Sequence, residues 1–456
     1  MENEKLSLKT KIGFGICDLG GNLFFTMMAF WIMNYFTDTL GLMPALAGTA
    51  IMVGRIWDAI SDPLVGYLSD HTETKWGRRR PYIFVGAIFL FIFMLVMFKN
   101  PYITDQKTLF WWTTIVLCLL FTAYTLTSVP YSSLTPELTT DYDERTTLNS
   151  FRMTFAIVGT FIAGGLAYPI IESFSVKTYS EGILKIDRSQ GFFVMAIIFG
   201  LIMSISALIT VFSVKEKQSQ KKLKTNFIKN FIGVIKNPPY LIVLFTYMFN
   251  MIAITLLSGS LVYYFKYVFK NEGLTTLSFI FLLVPTILSI PLWDKISKII
   301  GKKWAYFAGM SIIVFSLLIN FIFGRFFGPK FFLFILVITG IGFSTGYVLP
   351  WAIIPDTIDY DHLKTGTKNE GIYYGAWTFF SKTGQSFANF LIGLILQFVG
   401  FIPNVEQNNV VLEAIRVILG PLGILFYLIA MTVLFFYPID RKMHDEILEQ
   451  IKEKNL

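Results

Sequence analysis

The chain reads Val129-Pro130-Tyr131, then Pro136-Glu137, then Asp141-Tyr142-Asp143, and half a chain later it reads Leu349-Pro350-Trp351, then Pro355-Asp356, then Asp359-Tyr360-Asp361. The order is the same in both series and the internal spacing is nearly so. A second correspondence pairs Asp62-Pro63-Leu64 and Gly77-Arg78-Arg79 with Ile290-Pro291-Leu292 and Gly301-Lys302-Lys303. Two related halves joined in one chain account for both correspondences.

The amino-acid composition indicates that the two halves fold in a membrane and not in water. Of the 456 residues, 54% are hydrophobic and only 15% are charged, against about 25% charged residues in soluble domains. These values exclude a soluble multidomain enzyme, a disordered chain and a small disulfide-stabilised secreted module. Since a spanning helix uses about 20 residues, the apolar runs predict twelve transmembrane helices, near 12–40, 45–70, 82–99, 108–138, 147–171, 190–213, 239–266, 274–292, 304–324, 331–355, 371–400 and 411–437.

The predicted fold is thus an all-α membrane protein with two pseudo-symmetric halves of six helices each. Parallel repeats of this kind are the plan of major facilitator transporters. We place the N-terminal half at 1–213, a basic cytoplasmic linker at 214–237, the C-terminal half at 238–437 and a cytoplasmic tail at 438–456.

The positive charge follows this plan. With both termini in the cytoplasm, most of the 38 Lys and Arg residues fall in cytoplasmic segments, as the positive-inside rule requires. The net charge of +8 is therefore explained by the orientation of the chain in the membrane. The basic cytoplasmic segments could also bind anionic lipid. We expect a plasma-membrane protein, monomeric, with no nucleic-acid partner.

Ionisable residues inside predicted spans carry the functional signal, because each costs roughly 2.5–3.5 kcal/mol at a helix centre. They could form structural ion pairs or serve a transport site. The six are Asp18, Arg55, Asp58, Asp62, Arg152 and Lys382.

Asp58 and Asp62 are four residues apart, so both lie on one face of a helix, one turn from each other. Two carboxylates this close repel unless a cation or a proton lies between them. Carboxylate oxygens suit a small hard cation, and Ser61 can add another oxygen. The pair therefore predicts a coupling site, with Na⁺ as the candidate metal ion and H⁺ or Li⁺ as alternatives.

Two polar stripes on other predicted helices could line a solute cavity or simply form interhelical hydrogen bonds. The eleventh helix carries Lys382, Gln385 and Asn389; the fourth carries Tyr124, Thr125, Ser128 and Ser132. Arg152 is suited to bidentate hydrogen bonding to hydroxyls or to an anion.

The loop after the second predicted helix mixes acidic and basic side chains. The positive-inside rule alone could explain its basic residues. We favour a cytoplasmic gate of ion pairs that break as the halves rock. Its candidate members are Asp70, Arg78, Arg79 and Arg80, with Asp141, Arg145, Asp359 and Asp361 at the same membrane face.

These motifs resemble the glycoside–pentoside–hexuronide:cation symporter family, and the likeness extends over nearly the whole chain. The matching segments are Arg55-Ile56-Trp57-Asp58-Ala59-Ile60-Ser61-Asp62-Pro63, Trp76-Gly77-Arg78-Arg79-Arg80-Pro81, Val129-Pro130-Tyr131, Lys364-Thr365-Gly366 and Glu370-Gly371. The resemblance implies cation binding at Asp58, Asp62 and Thr125.

By the same resemblance, Tyr124, Arg152 and Lys382 line the solute and coupling region. Asn22 and Ser128 stand where the family's type member has sugar-binding aspartates, and Ser132 replaces a tryptophan. The resemblance therefore implies the cation machinery with a different solute. We include Asp18, Trp351 and Gln385 in the candidate solute site.

A related branch, the sodium-dependent lysophosphatidylcholine symporters, is also similar to this chain. The likeness lies in Val129 to Thr135, Phe151-Arg152-Met153-Thr154, Pro350-Trp351 and Tyr437-Pro438-Ile439-Asp440. The preferred interpretation is a symporter for a sugar, glycoside or sugar acid, and the alternative is one for a lysolipid. An enzyme is not expected, nor any cofactor besides the co-transported cation.

Overall fold

The computed structural model describes residues 6–138, 142–180, 183–214, 216, 236–366 and 370–453. The chain divides into two compact units. Unit 1 comprises Met1–Lys221 together with Gly393–Glu406, and unit 2 comprises Lys222–Ile392 together with Gln407–Leu456.

The regular secondary structure in the described part of unit 1 is helical apart from one hairpin. Prolines at the first turns of α4 and α5 start these helices without losing a hydrogen bond, because the first amides of a helix have no intrahelical acceptor. Its elements are α1 (Leu8–Gly15), α2 (Cys17–Phe30), α3 (Ile32–Asn34), a π-helical turn (Tyr35–Thr39), α4 (Pro44–His71), α5 (Arg80–Phe98), α6 (Gln106–Leu138), α7 (Tyr142–Ser173), β1 (Val176–Ser180), β2 (Ile183–Asp187) and α8 (Ser189–Ser213).

Unit 2 is helical throughout its described part. Asn237 and Asn408 cap α9 and α14 by accepting the amides of Tyr240 and Val411. Its helices are α9 (Pro238–Tyr263) with a π-helical turn (Tyr264–Val268), α10 (Leu274–Leu288), α11 (Ile290–Ile300), α12 (Lys302–Thr365), α13 (Glu370–Phe398, which ends in unit 1), α14 (Asn409–Val417) with a π-helical turn (Ile418–Leu422), α15 (Gly423–Phe435) and α16 (Arg441–Glu453).

Among the described residues, eight helices are long and apolar enough to cross a membrane. A ninth span results if α10 and α11, bent by 46°, count as one. The expected helical membrane protein is confirmed, whereas twelve spans and pseudo-symmetry stay predictions. Helix α4 is not one of these eight, and it carries Arg55, Asp58 and Asp62 within its 28 residues.

The predicted helices 304–324 and 331–355 lie within α12 on either side of a kink at Gly328, where φ is 80° and the backbone leaves helical geometry. Between the predicted helices 147–171 and 190–213, Val176–Ser180 pairs antiparallel with Ile183–Asp187. The structure differs from the prediction at 12–40, which is divided among α1, α2, α3 and a π-helical turn. Periodicity does not detect these breaks within 12–40, because the apolar pattern continues across them.

A close backbone contact brings α2 against α7 and so sets the distance between Asp18 and Arg152. A Cβ atom on Gly159 would lie 2.2 Å from the carbonyl oxygen of Leu19. Glycine is therefore required on α7 at this crossing. The contact brings Asp18, next to Leu19, near Arg152, two helical turns before Gly159.

Candidate functional site

Asp58 and Asp62 on α4 meet Thr125 on α6. Asp58 and Thr125 are fully buried, and the Thr125 hydroxyl lies 3.0 Å from Asp58 Oδ1 and 3.1 Å from Asp62 Oδ1. Ser61 Oγ lies 3.2 Å from Thr125 Oγ1 and donates to the Asp58 carbonyl at 3.0 Å. The structure thus places all four residues of the predicted cation site together, and we call them the carboxylate cluster.

The carboxylate cluster has more hydrogen-bond acceptors than the Thr125 hydroxyl can satisfy. The Thr125 hydroxyl has a single proton, so it can donate to only one of the two carboxylates at a time. The four residues also bring several oxygen atoms within hydrogen-bond distance of one another. Oxygen is the ligand atom that hard cations prefer. In the described part of the chain, no group of three or more His, Cys, Asp or Glu side chains could hold a metal ion, so this cluster depends on two carboxylates and hydroxyls.

Arg55, one turn before Asp58, is only 3% exposed. Its guanidinium carbon lies 4.9 Å from the ring centre of Phe121 and 5.5 Å from that of Phe25. Two aromatic faces thus stabilise a buried cation beside the carboxylate cluster. No role for Arg55 follows from the sequence, because the flanking rings come from two other helices.

Asp18 on α2 forms an ion pair with Arg152 on α7. Arg152 Nε lies 2.5 Å from Asp18 Oδ2, and the Tyr131 hydroxyl donates to the same oxygen at 2.6 Å. The guanidinium carbon of Arg152 lies 5.0 Å from the Tyr131 ring centre and 5.9 Å from that of Phe14. We call Asp18, Tyr131 and Arg152 the paired-charge cluster.

A cavity of about 400 Å³, counted with its part open to solvent, adjoins this cluster within unit 1. Apolar walls include Leu90 and Met203. Asn22, a predicted solute residue, is not among the residues that line this cavity. Its side-chain amide donates a hydrogen bond to the backbone carbonyl of Asp18 at 2.9 Å. The polar side chains that line the cavity include Asp18, Tyr124, Ser128, Tyr131 and Ser132.

In unit 2, the predicted polar stripe lies on α13. Lys382 is 6% exposed, and its carbonyl accepts the Ser386 hydroxyl at 2.7 Å. Gln385 donates to the Met251 sulfur at 3.8 Å, and its carbonyl accepts the Asn389 amide at 3.0 Å. Part of the stripe therefore serves the interhelical and local bonding that the sequence analysis kept as an alternative.

Trp351 on α12 is 48% exposed. Its ring stacks on Tyr374, with centres 6.1 Å apart, and meets Trp377 edge to face at 6.0 Å. Tyr247 stacks in turn on Trp377 at 4.0 Å. Unit 2 thus contributes a cluster of aromatic rings to which Trp351 belongs.

The predicted gate loop is organised by an acidic residue that the sequence analysis missed. Glu216 accepts the backbone amides of Arg78, Arg79 and Arg80 at 2.6, 3.0 and 2.8 Å. These amides open helix α5, where anions are stabilised. A Cβ on Gly77, whose φ is +105°, would lie 2.5 Å from the Glu216 carboxylate, so the motif requires glycine there.

The Arg79 side chain contacts Asp70, at 3.1 Å from Nη2 to Oδ1, and this pair lies within unit 1. The gate between the two halves stays a prediction. Arg80 Nε instead donates to the Val211 carbonyl at 2.7 Å.

The acidic gate residues of unit 2 lie at the end of α12. Asp359 Oδ2 lies 3.5 Å from His444 Nε2, and Asp361 is on the same helical turn. Lys302 pairs with the neighbouring Asp356 at 2.7 Å. Asp141 and the side chain of Arg145 lie outside the described residues.

Tyr131 in the paired-charge cluster and Glu216 at the predicted gate loop are the residues of unit 1 that sequence reasoning missed. A spacing signal for Tyr131 was present, since Tyr124, Ser128 and Tyr131 follow the i, i+4, i+7 pattern of one helical face. No comparable signal marks Glu216, which precedes a Lys-rich segment and is far in sequence from the amides that it accepts.

Comparisons with known proteins agree with this architecture. Residues 13–441 match the family described as MFS/sugar transport protein. The chain is 27% identical to a putative sulfoquinovose importer of Escherichia coli (strain K12), over 99% of this chain and 95% of that protein. It is 28% identical to the isoprimeverose transporter of Lactiplantibacillus pentosus, over 98% of this chain and 91% of that protein.

A further relative is the sodium-dependent lysophosphatidylcholine symporter 1-A of Danio rerio, 25% identical over 98% of this chain and 88% of that protein. Among solved structures, the nucleoside transporter NupG superposes with a TM-score of 0.64 at 14% identity, over 95% of this chain and 100% of that chain. The chain therefore belongs to the MFS/sugar transport protein family, and it is a multi-pass membrane transporter and not an enzyme.

Proposed function

We propose that this protein is a cation-coupled symporter that imports a sugar, glycoside or sugar acid by alternating access. It has twelve spans in two pseudo-symmetric halves, lies in the plasma membrane and has both termini in the cytoplasm. The observation that carries the proposal is the carboxylate cluster, in which one hydroxyl lies within 3.1 Å of two acidic side chains from successive turns of α4.

The cation binds between Asp58 and Asp62, with oxygens from Ser61 and Thr125 completing its ligands. Na⁺ fits this donor set because every group is an oxygen and no imidazole or thiol belongs to the cluster. A proton shared by the two carboxylates, or Li⁺, would use the same residues.

Binding of the cation reduces the charge that must be buried when the transporter closes. It also holds α4 against α6 through Thr125, and α6 carries the cavity residues Tyr124 and Ser128. The cation and the solute therefore raise each other's affinity by the same factor, as linkage requires. The two halves then rock around the loaded site, as in other transporters of this plan.

The candidate solute residues are Asp18, Asn22, Arg152 and the α6 side chains in unit 1, and Trp351, Lys382 and Gln385 in unit 2. The importer of sulfoquinovose and the transporter of isoprimeverose support a sugar-type solute. The relative from Danio rerio favours the alternative, a Na⁺-coupled lysophospholipid symporter of the same fold.

The test uses purified protein in liposomes with an imposed Na⁺ gradient. Wild-type vesicles should accumulate the solute above its external concentration, whereas Asp58→Asn and Asp62→Asn should lose Na⁺ stimulation. Asp105→Asn is the matched control, because this exposed carboxylate only caps the turn at Thr108. Uptake by Asp58→Asn that still responds to Na⁺ would refute the coupling site.

Probes for this assay are glucosides, glucuronides, sulfoquinovose and lysophosphatidylcholine. Accumulation of lysophosphatidylcholine without any sugar would replace the proposed solute by the alternative. Equilibration without accumulation under imposed Na⁺, Li⁺ and H⁺ gradients alike would show that the protein is not a symporter.

A further inference from the structure

Resting on the proposed function, we propose that the cavity of unit 1 selects an uncharged glycoside, whose adjacent hydroxyls bind the free oxygen of Asp18, and discriminates against sugar acids and sulfonated sugars. Arg152 acts as a positioning residue behind Asp18 and not as an anion receptor.

The two oxygens of Asp18 have different surroundings. Both strong contacts, from Arg152 Nε and from the Tyr131 hydroxyl, converge on Oδ2. No described residue donates a hydrogen bond to Oδ1, although Asp18 lines the cavity. The carboxylate is thus held rigidly through one oxygen, and the other remains available as an acceptor.

Two further cavity groups have unused hydrogen-bonding capacity. Across the described residues, neither the Tyr124 hydroxyl nor the Ser128 hydroxyl has a hydrogen-bond partner. Ser132 differs, since its hydroxyl donates to the Ser128 carbonyl at 2.9 Å. Each free hydroxyl can both donate and accept. Beside one fixed acceptor, such groups match the alternating donors and acceptors of adjacent sugar hydroxyls.

The cavity offers no cation to an anionic solute. Among the described residues, no Lys or Arg lines it. Arg152 packs instead near the rings of Tyr131 and Phe14, and its Nε is engaged with Asp18. A carboxylate or sulfonate in the cavity would meet another acceptor and would be desolvated without a charge partner, which is costly in a low-dielectric site. Uncharged hydroxyls incur no such penalty.

The experiment compares sugars that differ chiefly at C6, which carries an uncharged hydroxymethyl group, a carboxylate or a sulfonate. Binding of methyl glucoside, methyl glucuronide and sulfoquinovose to the full chain in detergent is measured calorimetrically in saturating Na⁺. We expect the glucoside to bind at least about tenfold more tightly than the glucuronide, a difference of about 1.4 kcal/mol. Stronger binding of the glucuronide or sulfoquinovose, or no binding of any sugar, would overturn the inference.

Variants of Asp18 should shift the binding of the two classes of solute in opposite directions. Asp18→Asn should weaken glucoside binding by about tenfold, because a hydrogen bond to a charged acceptor exceeds one to a neutral amide. The same variant should bind the glucuronide somewhat more tightly, because the repelling carboxylate is gone; glucuronide binding tighter than that of the glucoside to the wild type would show that Arg152 is an anion receptor and would overturn the inference. Asp18→Glu, which keeps the charge, should retain more of the preference for the glucoside.

A separate Na⁺ titration, followed by the thermal shift of each protein, distinguishes the two proposals. A normal Na⁺-induced shift shows that a variant is folded and that the carboxylate cluster functions. If wild-type protein shows no Na⁺-induced shift, the coupling proposal fails. If Na⁺ binds normally and the glucuronide is preferred, only the neutral-solute inference fails.

Discussion

The carboxylate cluster and the paired-charge cluster lie in the same unit, and both use acidic side chains within helical spans. In the first, a hydroxyl contacts Asp58 and Asp62 at nearly equal distances. In the second, a guanidinium and a phenol both bind one oxygen of Asp18. The Thr125 hydroxyl has one proton to donate, so an exchangeable cation can still bind between the two carboxylates. The Arg152 guanidinium is itself a permanent cation beside Asp18. The difference suggests why one cluster would couple transport and the other would orient a solute.

The largest expected effect breaks the paired-charge cluster. Arg152→Gln leaves the Asp18 carboxylate without its charge partner, which should destabilise the protein by about 3–5 kcal/mol. The measurement is the thermal unfolding midpoint in detergent. The double variant Asp18→Asn with Arg152→Gln should recover part of the loss, because no uncompensated charge remains.

Equal unfolding midpoints for Arg152→Gln and the wild type would show that the ion pair contributes nothing. Asp294→Asn is the matched control at an exposed ion pair with Lys298, where the expected change is below about 1 kcal/mol.

A smaller effect is expected from Thr125→Val, which removes the shared hydroxyl of the carboxylate cluster at nearly constant volume. A hydrogen bond to a charged group contributes about 1.5–3 kcal/mol, so Na⁺ affinity should fall by roughly 10–100-fold. Na⁺ titration of solute binding measures this change. Thr125→Ser keeps the hydroxyl and should bind Na⁺ close to normally; a similar loss in both variants would implicate packing instead.

The smallest effect concerns Tyr131→Phe, which removes one of the two contacts to Asp18 Oδ2 and keeps the ring. Since Arg152 still holds that oxygen, we expect about fivefold weaker glucoside binding, corresponding to about 1 kcal/mol. Calorimetry at saturating Na⁺ checks it, with Na⁺ affinity unchanged. A shift in Na⁺ affinity as large as the shift in glucoside affinity would mean that the two clusters cannot be separated.

Much of the carboxylate cluster could be predicted from sequence because its key spacing is local. Residues four apart on a helix share a face, so the proximity of Asp58 and Asp62 follows from helical geometry alone. The meeting of Asp18 with Arg152 could not be predicted in this way, because it depends on how α2 approaches α7 at Gly159. Glu216 was missed for the same reason, since the backbone amides that it accepts belong to a distant loop.

In the fold, too, local features could be predicted from the sequence and features that depend on backbone geometry could not. The apolar runs indicated helices and a membrane protein, because hydropathy is a property of each segment by itself. The break between the predicted helices 304–324 and 331–355 also agrees with the kink at Gly328. The π-helical turns and the hairpin at Val176–Ser180 and Ile183–Asp187 depend on backbone geometry that composition does not encode.

By itself, the sequence determined that this protein is helical, lies in a membrane, repeats its motifs and places two carboxylates on one helical turn. These are properties of composition, periodicity and short-range spacing. Only the tertiary structure decided which oxygen of Asp18 is occupied, that Arg152 lies behind it and that Thr125 joins the two carboxylates. Such contacts join residues far apart in the chain, and the packing of helices against one another sets their distances and angles.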